Sequence, residues 1–303
     1  MISFIIVNYN TTDMLKGLLS SIKQYFADAE VIVVDNASRD GSSGMVKKDF
    51  PDTRIIINND NVGFGRANNQ AMEIANGDVF VLINSDAELF DDSLKKAVEL
   101  VNSNKNYGLA GCRLVNTDGS TQASVSRFPN IGYAFLSATG IGLLLPQAMK
   151  SRVLAGRYFD YGQQSNVDWV MGACMIIRKE IYEKTRGFDN TYFMFGEDME
   201  WCYRIKQAGY EIIYTPKASV KHHFNKSKST FISERYILMY KNYYFFCNQY
   251  LGKTQSMIIR LLNIAGLSLR YAAHKLGFIR TDDQFLSYWF SNFKEAIIAQ
   301  FKA

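Results

Sequence analysis

Residues 2–41 have the sequence ISFIIVNYNTTDMLKGLLSSIKQYFADAEVIVVDNASRDG, in which two apolar runs enclose an amphipathic stretch. The runs Ile2–Val7 and Val31–Val34 lack a polar alternation, as strands that are buried on both faces do. The segment from Thr12 to about Phe26 has the apolar spacing of a helix. The stretch therefore predicts a strand, a helix and a second strand, with polar residues directly after each strand.

The same alternation continues over the first hundred residues. Further strands are predicted at Ile55–Ile57 and Val79–Ile83, and further helices at Asp40–Asp49, Phe64–Ala75 and Asp91–Asn102. Apolar strands that alternate with helices predict an α/β fold whose parallel sheet is covered on both faces. Ligands of such sheets bind at the carboxyl ends of the strands, so functional residues are expected there.

The composition excludes several classes of protein. The 303 residues are 48% hydrophobic and 21% charged, which is incompatible with an intrinsically disordered chain. The four cysteines are far apart and form no CxxC pair, which argues against a zinc site or a disulfide framework and is typical of a reducing compartment. No basic segment precedes the apolar run that starts at Ile2, so no signal peptide is expected. We expect a cytoplasmic protein.

Residues 224–303 differ in charge from the rest of the chain. They contain 11 Lys and Arg against 4 Asp and Glu, whereas residues 1–223 contain 23 and 25. Helices are predicted at Ile232–Tyr250, Thr254–Leu276 and Gln284–Phe301. Basic, aromatic helices are typical of an anionic membrane surface; the alternative is a helical appendage that packs on the core or forms a homo-oligomer interface. No recognition motif for nucleic acid accompanies the charge, so nucleic acid is not expected as a partner.

Polar segments follow the predicted strands. They are Asn8–Thr11 (NYNT), Asp35–Ser38 (DNAS), Asn61–Arg66 (NVGFGR) and Asn84–Ala87 (NSDA). The glycine fingerprint of dinucleotide enzymes is missing at the start of the first helix, and so is the glycine-rich phosphate loop of pyrophosphorylases. Both of those enzyme classes are therefore disfavoured.

Residues 131–223 contain four further features. Val167–Arg178 (VDWVMGACMIIR) predicts a central strand with a Gly-Ala kink, and the aromatic, acidic segment 187–198 leads into an amphipathic helix. Two short strands, Glu211–Tyr214 and Ser219–His222, end at a pair of histidines. Ile131–Met149 is apolar but is interrupted by glycines and a proline, so it is expected to be buried or interfacial and not to span a membrane.

Together these motifs resemble the family 2 glycosyltransferases of the GT-A fold, in particular the rhamnosyltransferase-like branch that builds bacterial surface polysaccharides. The resemblance covers about residues 1–225 and depends on an ordered set: VNYN, VVDNASRDG, NVGFGRANN, LINSDA, DWVMGACMIIRKE, GFDNTYFMFGEDMEWCYRIKQAGY and ASVKHH. It implies a nucleotide-binding half at about 1–115 and an acceptor half at about 116–225, both within a GT-A catalytic domain. Residues 226–303 would be a helical extension.

The resemblance also implies roles for individual residues. Asp198, with Glu197 beside it, matches the catalytic base; a pair of surface charges at a helix start is the alternative. Burial among Phe193, Phe195 and Trp201 would raise the pKa of Asp198, whereas the N-terminus of a helix would lower it, and the sequence does not decide between the two effects.

Asp86 and His222 match the ligands of Mg²⁺ or Mn²⁺, which prefer oxygen ligands and can take several from a diphosphate. The alternatives there are a helix cap and an ordinary strand-end histidine. After His223 the sequence departs from the family's usual glycine pair and serine.

The remaining implied residues would bind the nucleotide sugar. Asp35 would accept a hydrogen bond from the nucleobase, for which an Asx cap is the alternative, and Trp169 would stack on a sugar or belong to the core. The full set is Asn8, Asn10, Asp35, Asn36, Gly63, Arg66, Asn84, Ser85, Trp169, Gly172 and Ala173.

The expected activity is inverting, metal-dependent transfer of a sugar. The resemblance suggests dTDP-rhamnose or a UDP-sugar as the donor and a polysaccharide or lipid-linked oligosaccharide as the acceptor. The alternative is a non-catalytic subunit that binds a nucleotide sugar or a glycan within an assembly complex. Such a subunit would need Asp35 but neither Asp86 nor Asp198, and the chain contains both.

Overall fold

The computed structural model describes residues 1–223, 232–277 and 293–302. Residues 224–228, where the sequence departs from the family pattern, lie outside the described residues, as do residues 284–292 of the helix predicted at 284–301. In chain order, the elements are β1 (Ile2–Asn8), α1 (Thr12–Tyr25), β2 (Glu30–Asp35), α2 (Ser42–Asp49), β3 (Arg54–Ile57), α3 (Phe64–Ile74), β4 (Val79–Asn84), β5 (Ala87–Glu88), α4 (Leu94–Ser103), β6 (Tyr107–Val115), β7 (Thr121–Gln122), β8 (Val125–Ser126), α5 (Ile131–Thr139), α6 (Gln147–Val153), β9 (Ser165–Val167), β10 (Trp169–Val170), β11 (Cys174–Arg178), α7 (Lys179–Thr185), α8 (Glu197–Gln207), β12 (Glu211–His222), α9 (Ile232–Tyr250), α10 (Lys253–Lys275) and α11 (Phe293–Lys302).

The chain divides into two compact units. The first contains Met1–Ser126 and Asp160–Lys228, and the second contains Arg127–Phe159 and Ser229–Ala303. The sequence predicted a single boundary at residue 225, with 127–159 in the acceptor half. These residues instead group with the C-terminal helices, because α5 packs against α10 so closely that Gly266 has no space for a side chain beside Ala138.

The main sheet of the first unit has the strand order β3-β2-β1-β4-β11-β6-β12-β5. Strands β3, β2, β1 and β4 are mutually parallel, and β6 is parallel to β12. Strand β11 runs antiparallel to both of its neighbours, β4 and β6. The expected α/β fold with a mostly parallel sheet is confirmed, and β11 is antiparallel within it.

The direction of β11 determines which residues lie at the edge of the sheet where β1, β2 and β4 end. Cys174, the first residue of β11, pairs with Ile83 near the end of β4. A parallel strand brings its last residue to this edge, but an antiparallel strand brings its first residue there. The residues that precede β11 therefore lie beside the residues that follow β4.

Two predicted strands have different bounds in the structure. The segment 167–178 is not one central strand, because Met171–Ala173 separates β10 from β11 and β10 pairs with β8 in a small second sheet. The two short strands expected at 211–222 form one strand, β12, with an irregularity between Thr215 and Ser219. Pro216 lies in that interval and has no N–H group for a ladder hydrogen bond.

Many buried residues of the first unit are those that the apolar runs and the helical spacing of the sequence predicted. Strands β1, β2 and β4 are almost entirely buried, and α1 buries Leu15, Leu18, Leu19 and Ile22 at helical spacing on one face. Burial of each such side chain contributes on the order of 2 kcal/mol. All four cysteines are free and buried.

The second unit is helical. Its described elements are α5, α6, α9, α10 and α11, with single turns of 3₁₀ helix at Ile141–Leu144 and Gly156–Tyr158. The phenol of Tyr244 on α9 donates to Gln300 on α11, and Asn263 on α10 donates to the same phenol oxygen. Among the residues that the structure describes, no helix combines the length and the apolar content that a membrane crossing requires.

Candidate active site

The carboxyl ends of β1 and β2 are joined by a buried amide–carboxylate pair. Asn8 and Asp35 are adjacent in the register, and Asn8 Nδ2 donates to Asp35 Oδ1 at 2.7 Å. The backbone N–H of Ser38 donates to Asp35 Oδ2 at 3.2 Å. Asp35 is only 1% exposed, so its carboxylate holds the two loops together from beneath the surface.

The loop after β1 is linked to the loop after β4 through hydroxyl groups. Thr11 Oγ1 donates to Asn8 Oδ1 at 2.7 Å and lies 2.8 Å from Ser85 Oγ. Asn10 is exposed at a positive φ, and its Oδ1 accepts a hydrogen bond from the backbone of Arg39. The resemblance assigned no role to Thr11, although this residue directly follows the NYN motif.

The loop before α3 packs closely against the segment before α8. Gly63 has a φ of +90°, and a Cβ there would collide with the carbonyl oxygen of Phe193. Asn36 Nδ2 donates to the carbonyl oxygen of Gly63 at 3.2 Å, and the N–H of Phe64 donates to Phe193 O at 3.0 Å. Arg66 is exposed on the first turn of α3. The first turn of α3 therefore lies against the acidic segment that leads into α8.

The end of β4 forms a second polar cluster with the end of β12. Nε2 of His222 lies 3.3 Å from Asp86 Oδ1 and 3.3 Å from Asn84 Nδ2. The backbone N–H of His223 donates to the carbonyl oxygen of Asp86, and His222 pairs with Ala87 across β12 and β5. The sequence-predicted metal ligands are thus brought together, and both are largely buried.

A glutamine orients the imidazole of His222. Gln122 Nε2 donates to Asn116 Oδ1 at 3.1 Å, so Gln122 Oε1 is the acceptor that faces His222 Nδ1 at 2.7 Å. This contact places the proton of the neutral ring on Nδ1 and leaves the Nε2 lone pair directed at Asp86 and Asn84. Gln122 is buried on the short β7 strand, and no motif of the sequence pointed to it.

The cluster has the chemistry of a divalent-cation site. Asn84 Oδ1 is buried without a hydrogen-bond partner, although a buried amide oxygen normally has one. Two ligands of an octahedral Mg²⁺ or Mn²⁺ lie about 3 Å apart, which matches the separation of Asp86 Oδ1 and His222 Nε2. Within the described residues, no group of three or more His, Cys, Asp or Glu side chains could hold a metal. The side chains present fit a cation whose remaining ligands come from a substrate.

Replacement of Gln122 tests the orientation of this histidine. In Gln122→Leu we expect His222 to lose its preference for the Nδ1–H tautomer in the metal-free protein, and Mn²⁺ affinity to fall about 10- to 100-fold. Imidazole ¹⁵N chemical shifts and a Mn²⁺ titration measure the two effects. Gln163→Leu, at an exposed loop position, is the matched control. An unchanged tautomer in Gln122→Leu would contradict the assignment.

Asp198 lies at the start of α8 with both carboxylate oxygens bound to backbone. Oδ2 accepts a hydrogen bond from the N–H of Gly172 at 2.9 Å, and Oδ1 accepts one from Met199 at 2.8 Å. Burial raises the pKa of Asp198, and the two backbone donors only partly offset that rise. The sequence left open whether burial or the helix terminus would dominate, and burial does.

The surroundings of Asp198 differ from those expected. Phe193 is exposed, and the indole of Trp201 donates to Thr185 while its ring packs on Phe188. The aromatic ring that lies near Gly172 beside Asp198 is Phe64, on the first turn of α3. The rise in the pKa of Asp198 predicted from burial is therefore confirmed. Phe64, which the sequence did not point to, is an aromatic residue near this carboxyl group.

Glu197 is a buried carboxyl group with an unpartnered oxygen. Its Oε2 has no hydrogen-bond partner, and burial together with the charge of Asp198 raises the pKa of Glu197 to about 8. Glu197 is therefore mostly protonated at neutral pH. Asp198 is the carboxyl group that has hydrogen-bond donors to stabilise its charge.

The raised pKa of Glu197 predicts a specific pH dependence of stability. An acid with a raised pKa in the folded state binds its proton more tightly when folded, so stability falls as the pH rises from the ordinary value of 4.5 to about 8. We expect Glu197→Gln to reduce the fall in Tm between pH values of about 5 and about 8.5. Glu99→Gln, at an exposed position, should have no such effect. Equal falls in wild type and Glu197→Gln would refute the pKa assignment.

The two-residue segment Gly172–Ala173 connects the two clusters. The carbonyl oxygen of Ala173 accepts a hydrogen bond from the N–H of Asn84, and the N–H of Gly172 donates to Asp198. Consecutive residues are about 3.8 Å apart, so the cation cluster and the carboxyl pair are adjacent. A Cβ on Gly172 would lie 3.3 Å from the ring of Phe64 and 3.6 Å from Asp198, so the glycine permits this approach. Trp169 precedes this segment on β10 and is half-buried.

Sequence comparisons identify relatives of the chain. The family model described as "Glycosyl transferase family 2" matches residues 3–186, and the model described as "N-terminal domain of galactosyltransferase" matches residues 156–228. The chain is 25% identical over 236 residues to the N-acetylglucosaminyl-diphospho-decaprenol L-rhamnosyltransferase of Mycobacterium tuberculosis, which covers 74% of this chain and 76% of that protein. It is 26% identical over 247 residues to the rhamnosyltransferase WbbL of Escherichia coli, with 78% and 88% covered.

Solved structures show the same fold. The mannosyltransferase PcManGT from Pyrobaculum calidifontis, in complex with GDP-Man and Mn²⁺, aligns with a TM-score of 0.63 at 18% identity, covering 99% of this chain and 86% of that one. GalNAc-T7 with UDP, GalNAc and Mn²⁺ aligns with a TM-score of 0.57 at 15% identity, covering 84% and 51%. At these identities the likeness concerns the fold alone.

Proposed function

The chain belongs to glycosyl transferase family 2, and from this premise we propose that it is an inverting, metal-dependent enzyme that transfers a deoxyhexose to a lipid-linked glycan. That it is a glycosyltransferase follows from the family and from the named relatives. The observation that carries the proposal is the Gly172–Ala173 segment, which binds Asp198 on one side and Asn84 on the other.

The metal half of the proposal uses Asp86, His222 and the unpartnered amide oxygen of Asn84 as ligands. A bound Mg²⁺ or Mn²⁺ would neutralise the charge that develops on the departing nucleoside diphosphate. Two or three side-chain ligands leave coordination positions for the diphosphate oxygens. The Mn²⁺ in the PcManGT and GalNAc-T7 structures supports a divalent ion of this kind.

Asp198 is the proposed general base. It would take the proton of the acceptor hydroxyl as the hydroxyl oxygen forms a bond to the anomeric carbon and the bond to the diphosphate breaks. The backbone donors of Gly172 and Met199 fix the carboxylate, and its raised pKa increases its basicity at neutral pH. One base and one in-line displacement invert the anomeric configuration. Glu197, neutral beside it, adds no competing negative charge.

The nucleoside is proposed to bind over the loops after β1 and β2. Asp35 is buried and already accepts hydrogen bonds from Asn8 and Ser38. A base N–H could reach only the lone pairs of the Asp35 carboxylate that these two donors leave free. Asn10 and Arg66 are exposed polar residues of this region and are the proposed direct contacts to the nucleotide.

The donor and acceptor are proposed from the relatives. Two of them are named as rhamnosyltransferases, and one acts by its name on N-acetylglucosaminyl-diphospho-decaprenol. We therefore propose dTDP-rhamnose as the donor, with a UDP-sugar as the second choice, and a polyprenyl-diphosphate-linked glycan as the acceptor. Surface polysaccharide synthesis is the process that uses such acceptors.

A binding panel tests the donor assignment. We expect thermal stabilisation by one nucleotide sugar among dTDP-rhamnose, UDP-hexoses and GDP-mannose, and only in the presence of Mn²⁺, because a ligand stabilises the folded state by mass action. Loss of this stabilisation on chelation would confirm that metal and donor bind together. Equal stabilisation by dTDP-rhamnose with and without chelator would contradict the metal assignment, and preference for another sugar would correct the donor.

A further inference from the structure

Helix α10 (Lys253–Lys275) has an apolar face that is exposed. One face is buried against α5 and α9 through Ser256, Ile259, Gly266 and Leu267. On other faces Met257, Leu261 and Leu269 are 57%, 58% and 62% exposed. A helix at a protein–water surface normally presents polar residues on its exposed side. The exposed side of α10 is instead apolar along most of its length.

The charges of α10 lie where they would meet an anionic surface. The helix has no acidic residue between Lys253 and Lys275. Arg260 lies over the ring of Tyr244, and Arg270 donates to the carbonyl oxygen of Gly266, so both have partners within the unit. Lys253 and Lys275 are exposed at the two ends of the helix. The exposed apolar side chains therefore lie between two exposed cations.

The whole second unit is basic and has exposed apolar side chains elsewhere as well. It contains 13 Lys and Arg against 4 Asp and Glu, whereas the first unit contains 21 and 25. A second apolar group, with Leu144 at 84% exposure and Ile141, Leu143 and Met149 also exposed, lies on α6 and the segment before it. Residues 127–159 contain no acidic residue. Exposed apolar side chains thus coincide with the basic part of the chain.

We propose that the exposed face of α10, defined by Met257, Leu261 and Leu269, lies in the interface of an anionic lipid bilayer, parallel to its plane. The apolar side chains would enter the boundary of the acyl chains, and Lys253 and Lys275 would contact lipid phosphates. A second copy of the chain suits this face less well, because two strongly basic units repel each other. The inference uses no feature of the transferase site.

Vesicle flotation with the full-length protein tests the proposal. One set of vesicles contains phosphatidylcholine alone, and the other contains equal amounts of phosphatidylcholine and phosphatidylglycerol. We expect binding to the anionic set, weakened by added salt because the headgroup contacts are screened. In Leu261→Gln/Leu269→Gln the partition coefficient should fall about tenfold or more, since two apolar side chains lose their burial. Ile57→Gln/Ile74→Gln, at exposed apolar positions of the first unit, should bind as the wild type does.

Several outcomes would overturn the inference. They are absence of wild-type binding to the anionic vesicles, undiminished binding by Leu261→Gln/Leu269→Gln, and a wild-type dimer that this variant converts to a monomer. If the variant does not fold, Lys253→Gln/Lys275→Gln replaces it, with the same expected loss on anionic vesicles. Neither donor nor acceptor is present in the experiment, so its failure is distinguishable from failure of the proposed activity.

Discussion

Asp198→Asn is expected to lower the turnover number about 10²- to 10⁴-fold and to leave the Kd for the donor within about twofold of the wild-type value. An amide cannot take the proton of the acceptor hydroxyl, so the chemical step loses its base. The amide oxygen can still accept one backbone hydrogen bond, and the position of Gly172 should therefore be kept. Stopped-time assays of product and calorimetric titration of the donor measure the two quantities separately.

The control for this substitution is Asp189→Asn. Asp189 belongs to the same acidic segment, but the hydrogen bond that its carboxylate accepts comes from the backbone of Thr191 and not from Gly172. Its replacement should therefore not change turnover. Normal turnover in Asp198→Asn would remove the base assignment. A loss of donor affinity as large as the loss of turnover would indicate a binding role instead.

The second large effect is expected for Asp86→Ala. This variant removes the carboxylate that faces His222 Nε2 and leaves only neutral side-chain ligands. We expect the donor affinity measured with Mn²⁺ to fall about 100-fold, to the value of the metal-free wild type, because the cation is what binds the diphosphate. Donor titrations with Mn²⁺ and with chelator, on both proteins, provide the four values that are needed.

Glu88→Gln is the matched control for Asp86→Ala. Glu88 is two residues away and contacts Lys221 and His223, but it does not face Nε2 of His222. We expect the Mn²⁺-dependent gain in donor affinity to persist in this variant. If Asp86→Ala retains the same gain, the cation does not bind at Asp86 and the metal half of the proposal fails.

The sequence predicted most of the fold because the deciding patterns are local. The apolar runs of β1, β2 and β4 and the helical spacing of α1 depend only on neighbouring residues, and the structure confirms them within one or two positions. The membership of family 2, inferred from the ordered motifs, is also confirmed. The direction of β11 was missed, because apolar composition does not distinguish a parallel strand from an antiparallel one.

The parts of the site that the sequence did not predict depend on long-range contacts. Gln122 is a hundred residues from His222 and has no neighbouring motif, so only the pairing of β7 with β6 brings it to the imidazole. The burial of Asp35 follows from the contact between two loops and not from its own strand. The grouping of residues 127–159 with α10 depends on the packing of Gly266 against Ala138.

The most direct test of the account is the release of nucleoside diphosphate from dTDP-rhamnose with N-acetylglucosaminyl-diphospho-decaprenol as acceptor. The account predicts release by the wild type in Mn²⁺, none with chelator, and a rate at least about 10²-fold lower in Asp198→Asn. Metal-dependent donor binding with no more release by the wild type than by Asp198→Asn would contradict it. That result would instead support a subunit that binds the nucleotide sugar without transferring it.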